Sequence, residues 1–277
     1  MKNILLLTDF SDTSKNAIRY ALQFFEDELC TFHVLYVQDS TSYTTDDIVA
    51  NSSSSLYNSI IGKHQKKLIK YVATLEAEFD NENFNFKTIV DFDSLIEATN
   101  QAIKSKKIEL VVMGTNGATG AKEIVFGSNT INVIRNIKCK TLIVPGKFEF
   151  SPPKTMLLPL DPFDALDGKA MRGFSKFVET HHLMSHVLRI NPGTEKQNVE
   201  PEDKHDLNYR LKNKNYVYHL IDDVSFETAV DTYIQTHNIN IMSLFVQKET
   251  LLERLFIGSS TTKINKKARV PLLVLHS

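Results

Sequence analysis

A set of glycines in the first half of the chain has the spacing of a phosphate-binding loop. Gly114 and Gly117 come first, and nine residues separate Gly117 from Gly127, which Ser128 follows. The set lies between an apolar run, 108–113, and a stretch with helical spacing. Glycine lets a backbone approach a phosphate closely because it has no Cβ. The first N–H groups of a helix lack partners and carry partial positive charge. The segment therefore predicts an anion site.

Length and composition limit the class of protein. The chain has 277 residues, of which 42% are hydrophobic, so one large or two ordinary domains with apolar cores are expected. A net charge of -1 gives no electrostatic reason to expect nucleic acid or an anionic membrane as a partner. No apolar run is as long as a membrane span, and the opening segment 1–10 predicts a strand rather than a signal peptide. Cys30 and Cys139 predict buried, reduced thiols and a cytoplasmic protein.

Strand-like and helix-like segments alternate in the first half. Strands are predicted at 2–8, 31–37, 84–90, 108–113 and 141–144. A first helix, capped by Ser11 or Thr13, is predicted to run to about 25. Further helices are predicted at 56–79, 94–106 and 128–136, with a polar loop over 39–55. This alternation predicts a parallel sheet covered by helices on both faces. Ligands bind such sheets beyond the carboxyl ends of the strands. Asp9, Val37 and the loop at Gly114 are therefore expected to converge on one crevice.

The second half repeats the first. The strand 2–9 is echoed by 154–161, and Gly127-Ser128 is echoed by Gly258-Ser259. An internal duplication predicts two domains, 1–146 and 154–277, joined by a linker over 147–153. Strands of the second copy are predicted at 183–190, 216–221 and 239–246, with helices at 165–179 and 225–236. The polar segment before 214 offers no clear counterpart to the long helix of the first copy.

The second copy departs from the first at its glycines. Phe245 stands where the first copy has Gly114, and Lys248 stands where it has Gly117. Large side chains at these positions would crowd the loop or change its path. The second copy is therefore predicted to be a poor nucleotide site.

The chain resembles the universal stress protein family in its tandem two-domain form. The pattern G-x2-G-x9-G-[ST] is complete, the first strand ends in Thr8-Asp9-Phe10-Ser11, and a short strand follows the glycine-loop helix. The resemblance implies an α/β fold of two Rossmann-like domains, each a five-stranded parallel sheet in the order 3-2-1-4-5 with helices on both faces. It also implies that the last strands pair, either across a homodimer or between tandem halves as an intrachain pseudo-dimer.

Members with the complete loop resemble ATP binders, so the resemblance implies ATP, ADP or AMP as the ligand, with Mg²⁺ as an optional companion. The residues implied for the nucleotide are Thr8, Asp9, Val37, Met113, Gly114, Gly117, Gly127, Ser128 and Asn129. In this resemblance Asp9 holds the ribose or adenine side, and Val37 packs near the base. The glycines after Met113, with Ser128 and Asn129, surround the phosphates. No metal site and no catalytic residue is implied.

Three functions remain open. The sequence has no Walker lysine motif, no dinucleotide fingerprint after its first strand and no legible catalytic triad. The main hypothesis is a stress-response regulator that binds an adenine nucleotide in its first domain, with little or no turnover, and acts on an unknown protein partner. The alternatives are a nucleotide-free scaffold and a weak ATPase. Lys122 is predicted to be a solvated loop lysine, and His181, His182 and His186 are predicted to be structural rather than metal ligands.

Overall fold

A computed structural model describes residues 1–38, 53–115, 126–162, 164–192, 200–211, 216–246 and 270–276, without the side chains of 53–61 and 201. Several residues discussed above lie outside these ranges: Asn116, Gly117, Lys122, Lys248 and the pair Gly258-Ser259. Within them, no helix is long and apolar enough to cross a membrane.

The first half contains five strands and four helices in the described ranges. The strands are β1 (Lys2–Thr8), β2 (Cys30–Val37), β3 (Phe84–Asp91), β4 (Leu110–Gly114) and β5 (Thr141–Val144). The helices are α1 (Asp12–Phe24), α2 (Ser53–Phe79), α3 (Leu95–Lys106) and α4 (Ser128–Asn136). Ser11 and Ser94 begin α1 and α3 as N-caps, because each serine side chain accepts a hydrogen bond from a backbone N–H of the first turn.

The second half repeats this order. Its strands are β6 (Thr155–Leu160), β7 (Met184–Asn191), β8 (Tyr216–Asp222), β9 (Ile241–Val246) and β10 (Leu272–His276). Its described helices are α5 (Gly168–Thr180), α6 (Glu200–Arg210) and α7 (Phe226–Thr236).

All ten strands form one sheet in the order β3-β2-β1-β4-β5-β10-β9-β6-β7-β8. Within each half the strands are parallel and follow the order 3-2-1-4-5, which confirms the predicted fold. The two halves meet at β5 and β10, which pair antiparallel with Ile143 opposite Leu272 and Thr141 opposite Val274. The last strands therefore pair within the chain, as in an intrachain pseudo-dimer.

The apolar core lies on both faces of this sheet. One core cluster, covered by α1, α2, α5 and α6, contains Leu6, Leu142 and Leu273. The other, covered by α3, α4 and α7, contains Leu5 and Val274. Neighbouring residues of a strand point to opposite faces, so near-continuous apolar strands fill both clusters. Each cluster includes residues of both halves, so the core is continuous across the β5–β10 pair.

Three sequence expectations are wrong at the level of elements. The sequence offers no clear helix just before 214, but the structure has α6 there, whose Leu207 is fully buried. Its sequence EPEDKHDLNYR carries too few apolar residues for a helical period to be visible. The polar loop predicted over 39–55 ends earlier, because 53–55 already belong to α2. The helix predicted from 165 begins at Gly168.

Several histidines are shielded from solvent in the folded protein: His33, His186 and His276 are buried, and His181 is among those that are partly buried. Burial, together with the nearby cations Lys106 and Lys87, lowers the pKa of His33. Burial lowers the pKa of His276 to about 4, and it lowers the pKa of His186 as well.

The pKa of His181 is lowered in the same way. Burial, with Lys2 and Lys140 nearby, lowers it to about 4. Glu28 Oε1 is 3.7 Å from His181 Nδ1, too far for a strong hydrogen bond, so this carboxylate does not offset the lowering of the pKa.

These histidines predict that acid destabilises the fold. Their folded-state pKa values lie below the unfolded value of about 6.5, so the unfolded chain binds more protons as the pH falls from about 6.5 towards 4. The free energy of unfolding at pH 5 should be lower than at pH 7.5 by about 1 to 2 kcal/mol for each of His181 and His276. Urea titrations at both pH values measure this. The free energy of unfolding should depend less on pH in His181→Phe than in the wild type. His205→Gln, at an exposed position, should keep the pH dependence of the wild type. Equal stability at both pH values would contradict the prediction.

Candidate functional site

A cavity of about 530 Å³ opens where the strand order reverses, between the carboxyl ends of β1 and β4. In a doubly wound sheet this is the expected place for a ligand. Its walls come from the ends of β1, β2 and β4 and from the N-termini of α1, α3 and α4. The lining residues are Leu7, Thr8, Asp9, Ser11, Thr13, Ser14, Leu35, Val37, Asp93, Ser94, Leu95, Ile96, Met113, Gly114, Thr115, Gly127, Ser128, Asn129, Thr130 and Asn132.

The structure brings together the residues that the sequence singles out. Eight of the nine residues predicted for a nucleotide line this one cavity: Thr8, Asp9, Val37, Met113, Gly114, Gly127, Ser128 and Asn129. The ninth, Gly117, lies outside the described residues. Residues more than 100 positions apart meet because parallel strands place their carboxyl ends at the same edge of the sheet. Their role in binding stays a prediction.

A second cavity, of about 690 Å³, lies at the opposite end of the sheet. It is lined by Glu26, Glu76, Asp80 and Glu82 among others. Four carboxylates would repel a phosphate, and none of the predicted residues lies there. The smaller cavity at the glycines is therefore the candidate site, although the acidic one is larger.

The turn between β1 and α1 holds Asp9 in the cavity wall. Asp9 Oδ1 accepts hydrogen bonds from the backbone N–H of Ser11 at 3.0 Å and from its hydroxyl at 2.5 Å. The Thr8 hydroxyl accepts a bond from the N–H of Phe10 at 3.0 Å, and Phe10 adopts a left-handed φ of 64°. Burial alone would raise the pKa of Asp9, but hydrogen bonds from Ser11 and Ser14 outweigh it and lower the pKa. Asp9 is therefore ionised at neutral pH.

The N-terminus of α4 lines the cavity. Gly127 is its N-cap and has no side chain for a capping hydrogen bond, in contrast to the serines that cap α1 and α3. The N–H of Gly127 donates to Thr115 O at 3.0 Å, and the Thr130 hydroxyl donates to the same carbonyl at 2.7 Å. These bonds fix the first turn of α4 to the end of β4. The N–H groups of Ser128 and Asn129 lie in that turn, where an anion is stabilised by the helix dipole.

Gly114 is required by the close approach of α1. A Cβ on Gly114 would lie 2.6 Å from Thr13 Cγ2 and 2.9 Å from the Thr13 carbonyl oxygen. A Cβ on Gly146, two residues after β5, would lie 2.6 Å from Thr13 Oγ1. Thr13 thus fits between two glycines, and a side chain at either position would push α1 away from the sheet. The first glycine of the loop therefore serves helix packing as well as access to the cavity.

Phe245 changes this arrangement in the second half. It lies in the equivalent strand, is 1% exposed and contacts Phe174 with 6.2 Å between ring centroids. A buried ring leaves less room for the first turn of α5, the counterpart of α1, than the glycine of the first half leaves for α1. The later start of α5, at Gly168, agrees with this difference.

A buried ion pair replaces an aromatic contact in the second half. Tyr36 lies opposite the last residue of β1, and Arg189 lies opposite the last residue of β6. Tyr36 packs on Phe10 at 4.8 Å between ring centroids. Arg189 instead binds both carboxylate oxygens of Asp203, at 2.8 and 2.5 Å, and donates to the carbonyls of Asp161 and Asp164. A guanidinium therefore supports the turn after β6, in which Asp161 and Asp164 lie.

Sequence reasoning missed part of the lining. Asp93 and Ser94 follow β3, and Asp93 Oδ2 accepts a bond from Gln101 Nε2 at 2.8 Å. The rule that selected Asp9 and Val37, a position just beyond a parallel strand, also applies to these two residues. Asn132 was missed because it lies one turn inside α4, where no sequence signal separates it from its neighbours.

The remaining candidate residues have other surroundings. His181 packs between the two halves, and His186 Nδ1 is 3.0 Å from Tyr233 Oη under α7. In the ranges that the structure describes, no group of three or more His, Cys, Asp or Glu could hold a metal ion. Burial raises the pKa values of Cys30 and Cys139 to about 11, so both thiols are protonated at neutral pH.

Comparisons with known proteins agree with this architecture. The model of the universal stress protein family matches residues 1–145. Two universal stress proteins of Methanocaldococcus jannaschii are similar to the chain: one is 27% identical over 144 residues (52% of this chain, 81% of the relative) and the other 25% identical over 155 residues (53% and 96%). A universal stress protein structure from Archaeoglobus fulgidus has a TM-score of 0.73 and 17% identity, covering 99% of this chain and 98% of that chain, which shows likeness of fold.

The contact between Gly114 and Thr13 predicts the effect of one methyl group. Gly114→Ala should lower the free energy of unfolding by about 1–3 kcal/mol, because the new Cβ overlaps Thr13. Gly62→Ala is the matched control: nothing lies within 4 Å of its Cβ position in α2, so stability should rise by up to about 1 kcal/mol. Urea denaturation of both variants measures the difference. Equal effects of the two substitutions would refute the close-packing argument.

Proposed function

Because the chain belongs to the universal stress protein family, we propose that it is a stress-response regulator that binds one adenine nucleotide in its first domain. Turnover of that nucleotide is slow or absent. Binding changes the affinity for a protein partner, and the protein acts in the cytoplasm, where its two free cysteines stay reduced.

One observation carries this proposal: a helix N-terminus whose N-cap is a glycine and an ionised carboxylate line the same cavity. The first turn of α4 offers N–H groups to phosphates, while Asp9 offers an acceptor to the hydroxyls of a ribose or the amino group of an adenine. Leu35 and Val37 supply apolar surface for a base. The volume, about 530 Å³, falls in the range of small-molecule sites, about 300–1,000 Å³.

Two features support one nucleotide per chain with little turnover. Phe245 is buried in the second half at the place of Gly114, so a ring occupies the position that a glycine leaves open in the first half. Phosphoryl transfer needs a metal-bridged set of groups that positions a nucleophile. The described lining at α4 offers backbone N–H groups and the hydroxyls of Ser128 and Thr130 instead.

The first test is the nucleotide itself. Freshly purified protein, denatured and analysed by mass spectrometry, should release ATP, ADP or AMP. Titration calorimetry with ATP and Mg²⁺ should give one site per chain, and Gly127→Val should abolish binding because a branched side chain blocks the approach of phosphate. Thermal melting of Gly127→Val should remain cooperative. Two sites per chain would refute the single-site proposal. No released nucleotide and no thermal shift with ATP would favour a nucleotide-free scaffold.

The second test is the carboxylate. Asp9→Asn should weaken ATP binding roughly tenfold or more, because a charged acceptor becomes an amide that also turns a donor toward the ligand. Asp12→Asn is the matched control, since Asp12 lies three residues away, is fully exposed and does not line the cavity. Calorimetry of both variants at the same salt concentration gives the comparison. If Asp9→Asn binds ATP with the affinity of the wild type, Asp9 does not contribute to nucleotide binding.

A further inference from the structure

Helix α1 carries a stripe of residues beside its sheet-packing side. The stripe is Thr13, Asn16, Tyr20 and Phe24, spaced by three, four and four residues, so its members lie along one face of the helix. The sheet-packing side is formed by Ala17, Ile18, Ala21 and Leu22, all fully buried. Along the helix, the members of the stripe contact first the candidate site, then the segment that joins the two halves, and last the second half.

The stripe begins in the candidate site. Thr13 lines the cavity with its neighbours Ser11 and Ser14. The same threonine is held between Gly114 and Gly146, at distances that leave no room for a Cβ on either glycine. If a ligand displaces the first turn of α1, Thr13 must press on the ends of β4 and β5. Those strand ends must then move with the helix or oppose its movement.

The middle of the stripe binds the segment that joins the two halves. Asn16 Nδ2 donates to Pro145 O and to Phe148 O, both at 3.1 Å. One turn further, the ring of Tyr20 meets Phe148 at 5.9 Å and Phe150 at 5.2 Å, both edge-on. Phe148 also packs against both core clusters. The connecting segment is therefore fixed to α1 over two turns of the helix.

The end of the stripe contacts the second half directly. Phe24 stacks on Phe177 of α5, with 5.8 Å between ring centroids and 10° between planes. His181, at the end of α5, lies 4.6 Å from Phe24 and 4.5 Å from Phe177, measured between ring centroids. These three rings form an aromatic contact between α1 and α5. Helix α1 thus reaches from the candidate site to the second half over a length of about 20 Å.

The stripe is not a general requirement of the fold, because the second copy lacks it. The buried residues Ala17, Ile18 and Ala21 of α1 correspond to Ala170, Met171 and Phe174 of α5. In this register Lys169 stands in place of Asn16 and Gly173 in place of Tyr20. Phe177 keeps the residue type of Phe24. The contacts with the connecting segment therefore occur in the copy that has the complete glycine loop.

We propose that α1 transmits changes at the first-domain crevice to the contact between the two domains, at Phe177 and His181. The nucleotide part of this inference rests on the proposed function. Close-packed helices move as rigid units rather than by continuous deformation, so a shift of the first turn moves Phe24 as well. Linkage is reciprocal. If binding at the crevice changes the free energy of the contact at Phe177, removing that contact must change the binding free energy at the crevice by the same amount.

The first experiment needs no ligand. Gly114→Ala forces Thr13 away from β4, and Thr13→Ala removes most of its side chain. Both should shift the His181 ring signals in NMR spectra and change amide hydrogen exchange in peptides covering 174–183. Peptides covering 226–236, on the opposite face of the sheet, should not change. Gly62→Ala is the control and should alter neither region. Altered exchange over 11–16 with unchanged exchange over 174–183 would overturn the inference.

The second experiment uses ATP on the full chain. Saturating ATP should shift the same His181 signals, and Asn16→Ala should reduce that shift by at least half while leaving the direct ligand contacts in place. Phe177→Leu should change the ATP dissociation constant about fivefold, whereas Phe226→Leu, similarly buried but outside the stripe, should not. Normal ATP affinity in Phe177→Leu would refute the coupling. If the wild type binds no ATP while Gly114→Ala still shifts His181, the proposed function fails and the coupling through α1 stands.

Discussion

The close approach of α1 to the ends of β4 and β5 is the constraint on which the first domain depends. Thr13 lies against Gly114 and Gly146 at distances that leave no room for a Cβ on either. This contact sets the position of the β1–α1 turn, and with it the position of Asp9. The N-terminus of α4 lines the same cavity as that turn. Gly114 therefore allows the close packing of α1 and also lines the cavity proposed to bind a nucleotide.

The second domain keeps the sheet and gives up this contact. Phe245 is packed in its core, α5 begins later, and Arg189 with Asp203 supports the turn after β6. Replacing a small residue by a large one usually strains a packed core, and the later start of α5 leaves room for the larger residue. Removing one partner of the buried ion pair would leave an uncompensated charge. The second domain is therefore an adapted copy, stabilised by its own contacts, that completes the ten-stranded sheet.

Much of the fold and of the crevice could be predicted from the sequence. The apolar runs in Lys2–Thr8 and Thr155–Leu160 mark their strands clearly, and the order of strands followed from a family resemblance that the match to residues 1–145 confirms. The convergence of Asp9, Val37 and Gly114 followed from one rule about strand ends. Helix α6 was missed, because its helical face is almost entirely polar. The domain boundaries 1–146 and 154–277, and the roles of the nine site residues, stay predictions.

The sequence by itself determined the duplicated α/β architecture and eight of the residues that line the crevice, because periodicity and glycine spacing are local properties of the chain. Only the tertiary structure decided that the last strands pair within the chain, and that Thr13 is the reason for Gly114. It alone showed that one face of α1 runs from the crevice to Phe177. These contacts join residues more than 100 positions apart, and the partner of a side chain across such a distance depends on how the elements pack.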